Sequence, residues 1–193
     1  MALIRVLFLS VFAPRKISKE TLEKQLIRSG WIFILIRWAY YSMVFTLFRD
    51  YQNAWTPFFK PPFGLSLNTY ATLQKSLSIF FGFLLMTMIS YGLFLIFRLR
   101  ERISIQLLKI LNILGVAYFI PFVILQPLDV LTINILGWSR FIIIPLHTIV
   151  LVWEAIIAVI LIDKIYPIKL REKITGIIFQ VITWILLCAL FWR

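Results

Sequence analysis

A chain of 193 residues that is 62% hydrophobic, 17% aromatic and only 15% charged cannot cover a water-facing surface with polar groups. That excludes a soluble globular domain, and in this company a net charge of +12 points to membrane topology and anionic headgroups rather than to nucleic acid. The expected fold is all-α: a polytopic integral membrane bundle of five transmembrane helices over 31–193, preceded by a cytoplasmic N-terminal segment, 1–30.

The opening stretch, "MALIRVLFLSVFAPRK", is apolar but is interrupted by Arg5, is followed by Arg15 and Lys16, and has no A-x-A cleavage site. It predicts a retained, interfacial helix. Residues 16–29, "KISKETLEKQLIRS", predict a short amphipathic helix with Ser18 as N-cap. Glu20 and Glu23 near its start and Lys24 and Arg28 near its end suit the helix dipole.

Five apolar runs follow, at about 31–48, 77–97, 109–125, 141–162 and 174–192. Asn112 and Pro121 interrupt the third, but proline is tolerated where neighbouring helices satisfy the freed backbone groups. Residues 50–75 predict a surface loop on the outer side. Pro57, Pro61, Pro62 and Gly64 break helices there, and Tyr51, Trp55, Phe58, Phe59 and Phe63 suit the headgroup interface.

Basic residues set the orientation. Arg5, Arg15, Lys16, Lys19, Lys24 and Arg28 precede the first run; Arg98, Arg100 and Arg102 lie in "RLRER"; Lys164, Lys169, Arg171 and Lys173 lie in "DKIYPIKLREK". Five spans put all thirteen on one side and leave five, Arg49, Lys60, Lys75, Arg140 and Arg193, on the other. The bias predicts a cytoplasmic N-terminus and an outer C-terminus.

Ionisable groups at bilayer depth cost roughly 2.5–3.5 kcal/mol on insertion scales, so those inside the runs mark a candidate polar site. They are Arg37, His147 and Glu154, with Asn112 and Gln180 as uncharged members. His147 and Glu154, two helical turns apart, project from nearly one face. Arg37 and Glu154 lie at depths that differ by roughly 3 Å, so they can pair if the first and fourth spans touch. Two readings follow. Glu154 and His147 line a path for protons, ions or a headgroup; or Glu154 neutralises Arg37 and fixes packing while His147 bonds to a neighbour near the outer interface. Gln180, Thr183 and Trp184 share a face suited to interhelical hydrogen bonds, and Ser78, Gly82, Gly115 and Ala117 permit close helix approach.

The sequence offers no catalytic, cofactor or metal site. It has no G-x-S-x-G, H-E-x-x-H, Walker A or G-x-G-x-x-G motif, a single cysteine (Cys188) and eight acids, of which one is expected deep in a span. An enzyme is disfavoured.

The layout resembles the Yip-type membrane proteins, whose eukaryotic members interact with Rab/Ypt GTPases. The resemblance rests on "LLKILNILGVAYFIPFVIL" with Gly115, Tyr118 and Pro121; on Trp138 ahead of "LVWEAIIAVILI" and a basic loop; and on "APRK" with Pro14. It implies five spans, a cytoplasmic N-terminus and a very short outer C-terminus. The long N-terminal region of the eukaryotic members and its acidic and aromatic motifs are missing, so the chain is similar to the short prokaryotic form, and no catalytic residue carries over. The expected function is a non-enzymatic scaffold or membrane-organising role, with anionic lipid headgroups and a protein partner or oligomer as contacts. The rival is a small permease or transporter subunit with Glu154, His147 and Arg37 in its path.

Overall fold

The computed structural model describes residues 2–26, 28–47, 62–99, 103–136 and 140–191. Every regular element among them is helical. In chain order these are α1 (Ala2–Phe12), a 3₁₀ turn (Pro14–Lys16), α2 (Lys19–Thr21) running into a π turn (Leu22–Leu26), and α3 (Gly30–Leu47). A 3₁₀ turn (Pro62–Gly64) then precedes α4 (Leu67–Ile96), α5 (Ile103–Leu136), α6 (Arg140–Ile165) and α7 (Leu170–Phe191).

Among the described residues, three stretches are long and apolar enough to cross a membrane: Ser76–Ile96 in α4, Ile103–Thr132 in α5 and Ile144–Ile165 in α6. Helices α3 and α7 stand at the first and fifth expected positions, with 18 and 22 residues. Large apolar side chains such as Phe80, Met88, Ile149, Ile178 and Ile182 remain half or more exposed. A surface of that kind is solvated by lipid tails rather than by water.

Two boundaries depart from expectation. Residues 67–75, read as part of an outer loop, form the first turns of α4. Ser66 accepts the Thr69 backbone N–H at 3.1 Å, an N-cap that starts the helix well before its apolar run. The third run, read as ending near 125, continues to Leu136 through both Pro121 and Pro127. Each proline removes one ladder bond, but nearby side chains and close packing hold the chain helical. Gln126 and Asp129 therefore lie inside the bundle, while Leu128 stays exposed. The expected loop aromatics Tyr51, Trp55, Phe58 and Phe59, the prolines Pro57 and Pro61, and Arg49, Lys60, Arg100, Arg102, Trp138 and Arg193 lie outside the described residues.

Helix α5 is the centre of the bundle. It packs against α1, α3, α4 and α6, and 67% of its apolar stretch is buried, against 39% in α4 and 33% in α6. The α3–α5 seam is tight because both helices present glycine. A Cβ on Gly30 would collide with the Asn112 backbone, and one on Gly115 with the Gly30 carbonyl. Asn112 itself, 3% exposed, accepts the Trp31 N–H at 2.7 Å and donates to the Leu108 carbonyl at 2.7 Å. It thus caps α3 from a neighbouring helix, satisfying one of the donors that a helix start leaves free.

The N-terminal segment is not a separate appendage. Leu7, Val11, Ile17 and Leu22 belong to the same buried cluster as the bundle, and the Phe12 ring lies 5.6 Å from Trp153. The expected N-cap is present, with Ser18 accepting the Thr21 N–H at 3.2 Å. Lys164 donates to the Arg15 carbonyl at 3.1 Å and Lys19 to the Ile165 carbonyl at 3.4 Å, so two of the basic segments meet at one end of the bundle. There, Asp163 accepts from the Ile168 N–H and from Lys173 Nζ (2.6 Å), which fixes the turn between α6 and α7.

Gly30→Ala should lower stability in detergent by about 1–3 kcal/mol, because the added methyl meets backbone and nothing soft can yield. Unchanged chemical denaturation of that variant would contradict the seam.

Candidate functional site: a buried Arg–Glu pair and a polar line

Arg37 leaves α3 in the middle of its third turn and points into the bundle, 5% exposed. Its Nη1 donates to the Tyr118 backbone carbonyl at 2.9 Å and lies 3.3 Å from Glu154 Oε1 on α6. The side chains of the pair are 6% and 3% exposed. Helices α3 and α6 each pack along α5 rather than along each other, so the length of the arginine side chain is what spans the gap. Pro121 lies in the same stretch of α5, and its missing N–H removes the ladder bond to the Ala117 carbonyl, next to Tyr118.

Four rings enclose the guanidinium. Its Cζ lies 4.4 Å from the Phe122 centroid, 5.3 Å from Tyr118, 5.3 Å from Trp184 and 5.7 Å from Trp38. Each such contact contributes about 0.5–2 kcal/mol of attraction in a dry site. The rings also stack on one another, Trp184 lying 6.1 Å from both Trp38 and Tyr118. Tyr118 donates its hydroxyl to Gln180 Oε1 at 2.9 Å, and Gln180 Nε2 donates to the Gly176 carbonyl at 3.0 Å. The hydroxyl and both ends of the Gln180 amide are therefore satisfied. Residues from α3, α5, α6 and α7 converge on one cation.

His147 takes a different partner. Its Nε2 stands 3.0 Å from Asp129 Oδ2, where the His147 side chain is 33% exposed and that of Asp129 is wholly buried. Asp129 corrects the expectation of a single acid deep in a span, and it was hidden by reading the helix as ended before Pro127. On one continuous helix Phe122, Gln126 and Asp129 fall on one face at spacings of four and three, which is the signal that finds them. Gln126 is 2% exposed, and its Oε1 has no hydrogen-bond partner among the described residues; the Asp129 carboxylate oxygens accept none either. A broken line of polar groups thus runs from the Arg37–Glu154 pair past Gln126 to Asp129 and His147.

Of the five residues singled out in sequence, Arg37, Glu154 and Gln180 share one cluster, Gln180 joining through Tyr118. His147 sits about two turns away, and Asn112 serves the α3 start. No group of three or more potential metal-ligating residues occurs among the described residues. Comparison of the chain with protein-family models, with curated proteins and with solved structures finds no match in any of the three.

Glu154→Gln leaves Arg37 buried without a counter-charge and should cost about 3–5 kcal/mol. The double variant Arg37→Met with Glu154→Leu should recover most of that loss, since well-packed apolar replacements of a buried pair are often close to neutral. A double-mutant cycle by unfolding in detergent that gave no coupling would show the two charges to be independent.

Proposed function

We propose that the chain is a five-span, non-enzymatic integral membrane protein with a cytoplasmic N-terminus and an outer C-terminus. In this reading it acts as a scaffold that organises the membrane, in the manner of the short Yip-type proteins it resembles. The observation that carries the reading is the enclosure of Arg37. Its charge is met by Glu154, a backbone carbonyl and four ring faces, which leaves no face for a transported solute. The pair then serves as a lock between helices, since breaking a buried ion pair leaves an uncompensated charge. The meeting of basic segments at one end of the bundle supports the orientation. Helices α3 and α7 complete the five spans.

A second reading, a small permease or transporter subunit, is favoured by Asp129. A wholly buried carboxylate that accepts no hydrogen bond among the described residues, against a partly exposed His147, is what a water-bearing proton or ion path requires.

Topology has a direct check. With Cys188 replaced by serine, Lys16→Cys should react with an impermeant maleimide only after the membrane is opened, and Arg193→Cys in intact cells. Labelling of both from the same side would remove the odd number of spans. Transport has its own check: proteoliposomes loaded with a pH-sensitive dye should show no protein-dependent proton flux. A flux abolished by Asp129→Asn, in a variant that melts like the parent, would transfer the function to the second reading.

A further inference from the structure

The end of α4 and the start of α7 enclose a cleft of about 420 Å³, lined by Leu95, Ile96, Arg98, Lys169, Arg171 and Thr175 together with Glu172. Three cations face it, and none of the three side chains has an acidic partner within ion-pair distance among the described residues. The acid present, Glu172, is engaged, its Oε2 accepting the Lys169 backbone N–H at 2.9 Å. Nearby, Lys173 pairs with Asp163, Lys164 donates to the Arg15 carbonyl and Lys19 to the Ile165 carbonyl. The cleft therefore holds three cations against one acid, Glu172, which lies in the first turn of the 22-residue α7 and leaves a net positive charge.

The backbone carries an independent mark of the same place. Arg98 follows the last turn of α4 with φ +50°, in the left-handed region. That position after a helix end is ordinarily glycine, because a side chain there is strained. Here the strained residue is a long cation aimed at the end of the bundle. Strain of this kind persists at sites that use it. Leu95, 54% exposed, and Ile96 give the lining its apolar part, and outside the cleft Leu170, Ile174 and Ile178 form an exposed apolar strip on α7.

We infer that this cleft is a binding site for one anionic phospholipid. Its phosphate is held by Arg98, Lys169 and Arg171, while the Thr175 hydroxyl is spent on the Arg171 carbonyl at 2.9 Å, and an acyl chain leaves along Leu95 and the neighbouring α7 strip. Phosphate suits the three cations, and the apolar strip suits a chain that free phosphate lacks. Basic pockets between membrane helices on the cytoplasmic side take such headgroups. The inference rests on the membrane-embedded reading, and that reading has its own readout: the protein must sediment with membranes and need detergent for extraction.

The test is thermal unfolding of the full chain, purified in neutral detergent, with phosphatidylglycerol, phosphatidylcholine or inorganic phosphate added. Phosphatidylglycerol should raise the melting temperature saturably, and the other two should not. Arg98→Gly removes the charge and relieves the strain, so the variant without lipid should melt no lower than the parent, yet bind phosphatidylglycerol about five- to tenfold more weakly. Arg171→Gln should weaken binding similarly, and Lys16→Gln, at an exposed cation outside the cleft, should leave it unchanged. Equal stabilisation by phosphatidylcholine, equal stabilisation by inorganic phosphate, full binding in Arg98→Gly, or the same loss in Lys16→Gln would each overturn the site.

Discussion

A guanidinium buried among apolar helices must be met on several sides, and the arrangement of this bundle follows from meeting Arg37. Desolvating the charge costs several kcal/mol, a sum no single partner returns. An acid on α6, a carbonyl on α5 and rings from α3, α5 and α7 share the work, so four helices are pinned at one depth. Lipid tails give apolar helices no preference among partners, and packing alone specifies such an arrangement weakly. A buried charge with one good solution supplies the specificity.

The small-residue seam makes that solution reachable. Gly30 and Gly115 bring the α3 and α5 backbones together, and Asn112 ties the first turn of α3 to α5. With the start of α3 fixed in this way, Arg37 is delivered to the turn of α5 that Pro121 has disturbed. Sequence positions 30, 37, 112, 115, 118 and 121 thus act as one unit on two helices, joining backbone approach, helix capping and charge satisfaction.

The sequence made the helical class and the Arg37–Glu154 pairing legible, because span ends and the 1.5 Å rise place both groups at nearly one depth. The aromatic enclosure was not legible. Rings are spread along every run of this chain, and which of them meet depends on helix rotation, a tertiary property. Asp129 escaped because prolines at 121 and 127 read as a helix end, whereas in a packed membrane bundle they sit inside a 34-residue helix. Its pairing with His147 follows only once that helix is continuous. The docking of α1 escaped for a related reason. Eleven residues are too few to span a bilayer, and nothing in the local pattern tells an interfacial helix from one laid against other helices.

The order of synthesis gives the Arg37 network a further meaning. A chain is made from its N-terminus, and Tyr118 follows Arg37 by 81 residues. At about 5–20 residues per second the carbonyl that accepts from Arg37 is made roughly 4–16 s after the arginine, with Glu154 later still. Throughout that interval Arg37 lacks the carbonyl and the carboxylate that meet it in the finished bundle. Helix α3, made before α4 to α7, is therefore among the last to settle. The bundle closes only when α5 and α6 have entered the bilayer and drawn the arginine inward.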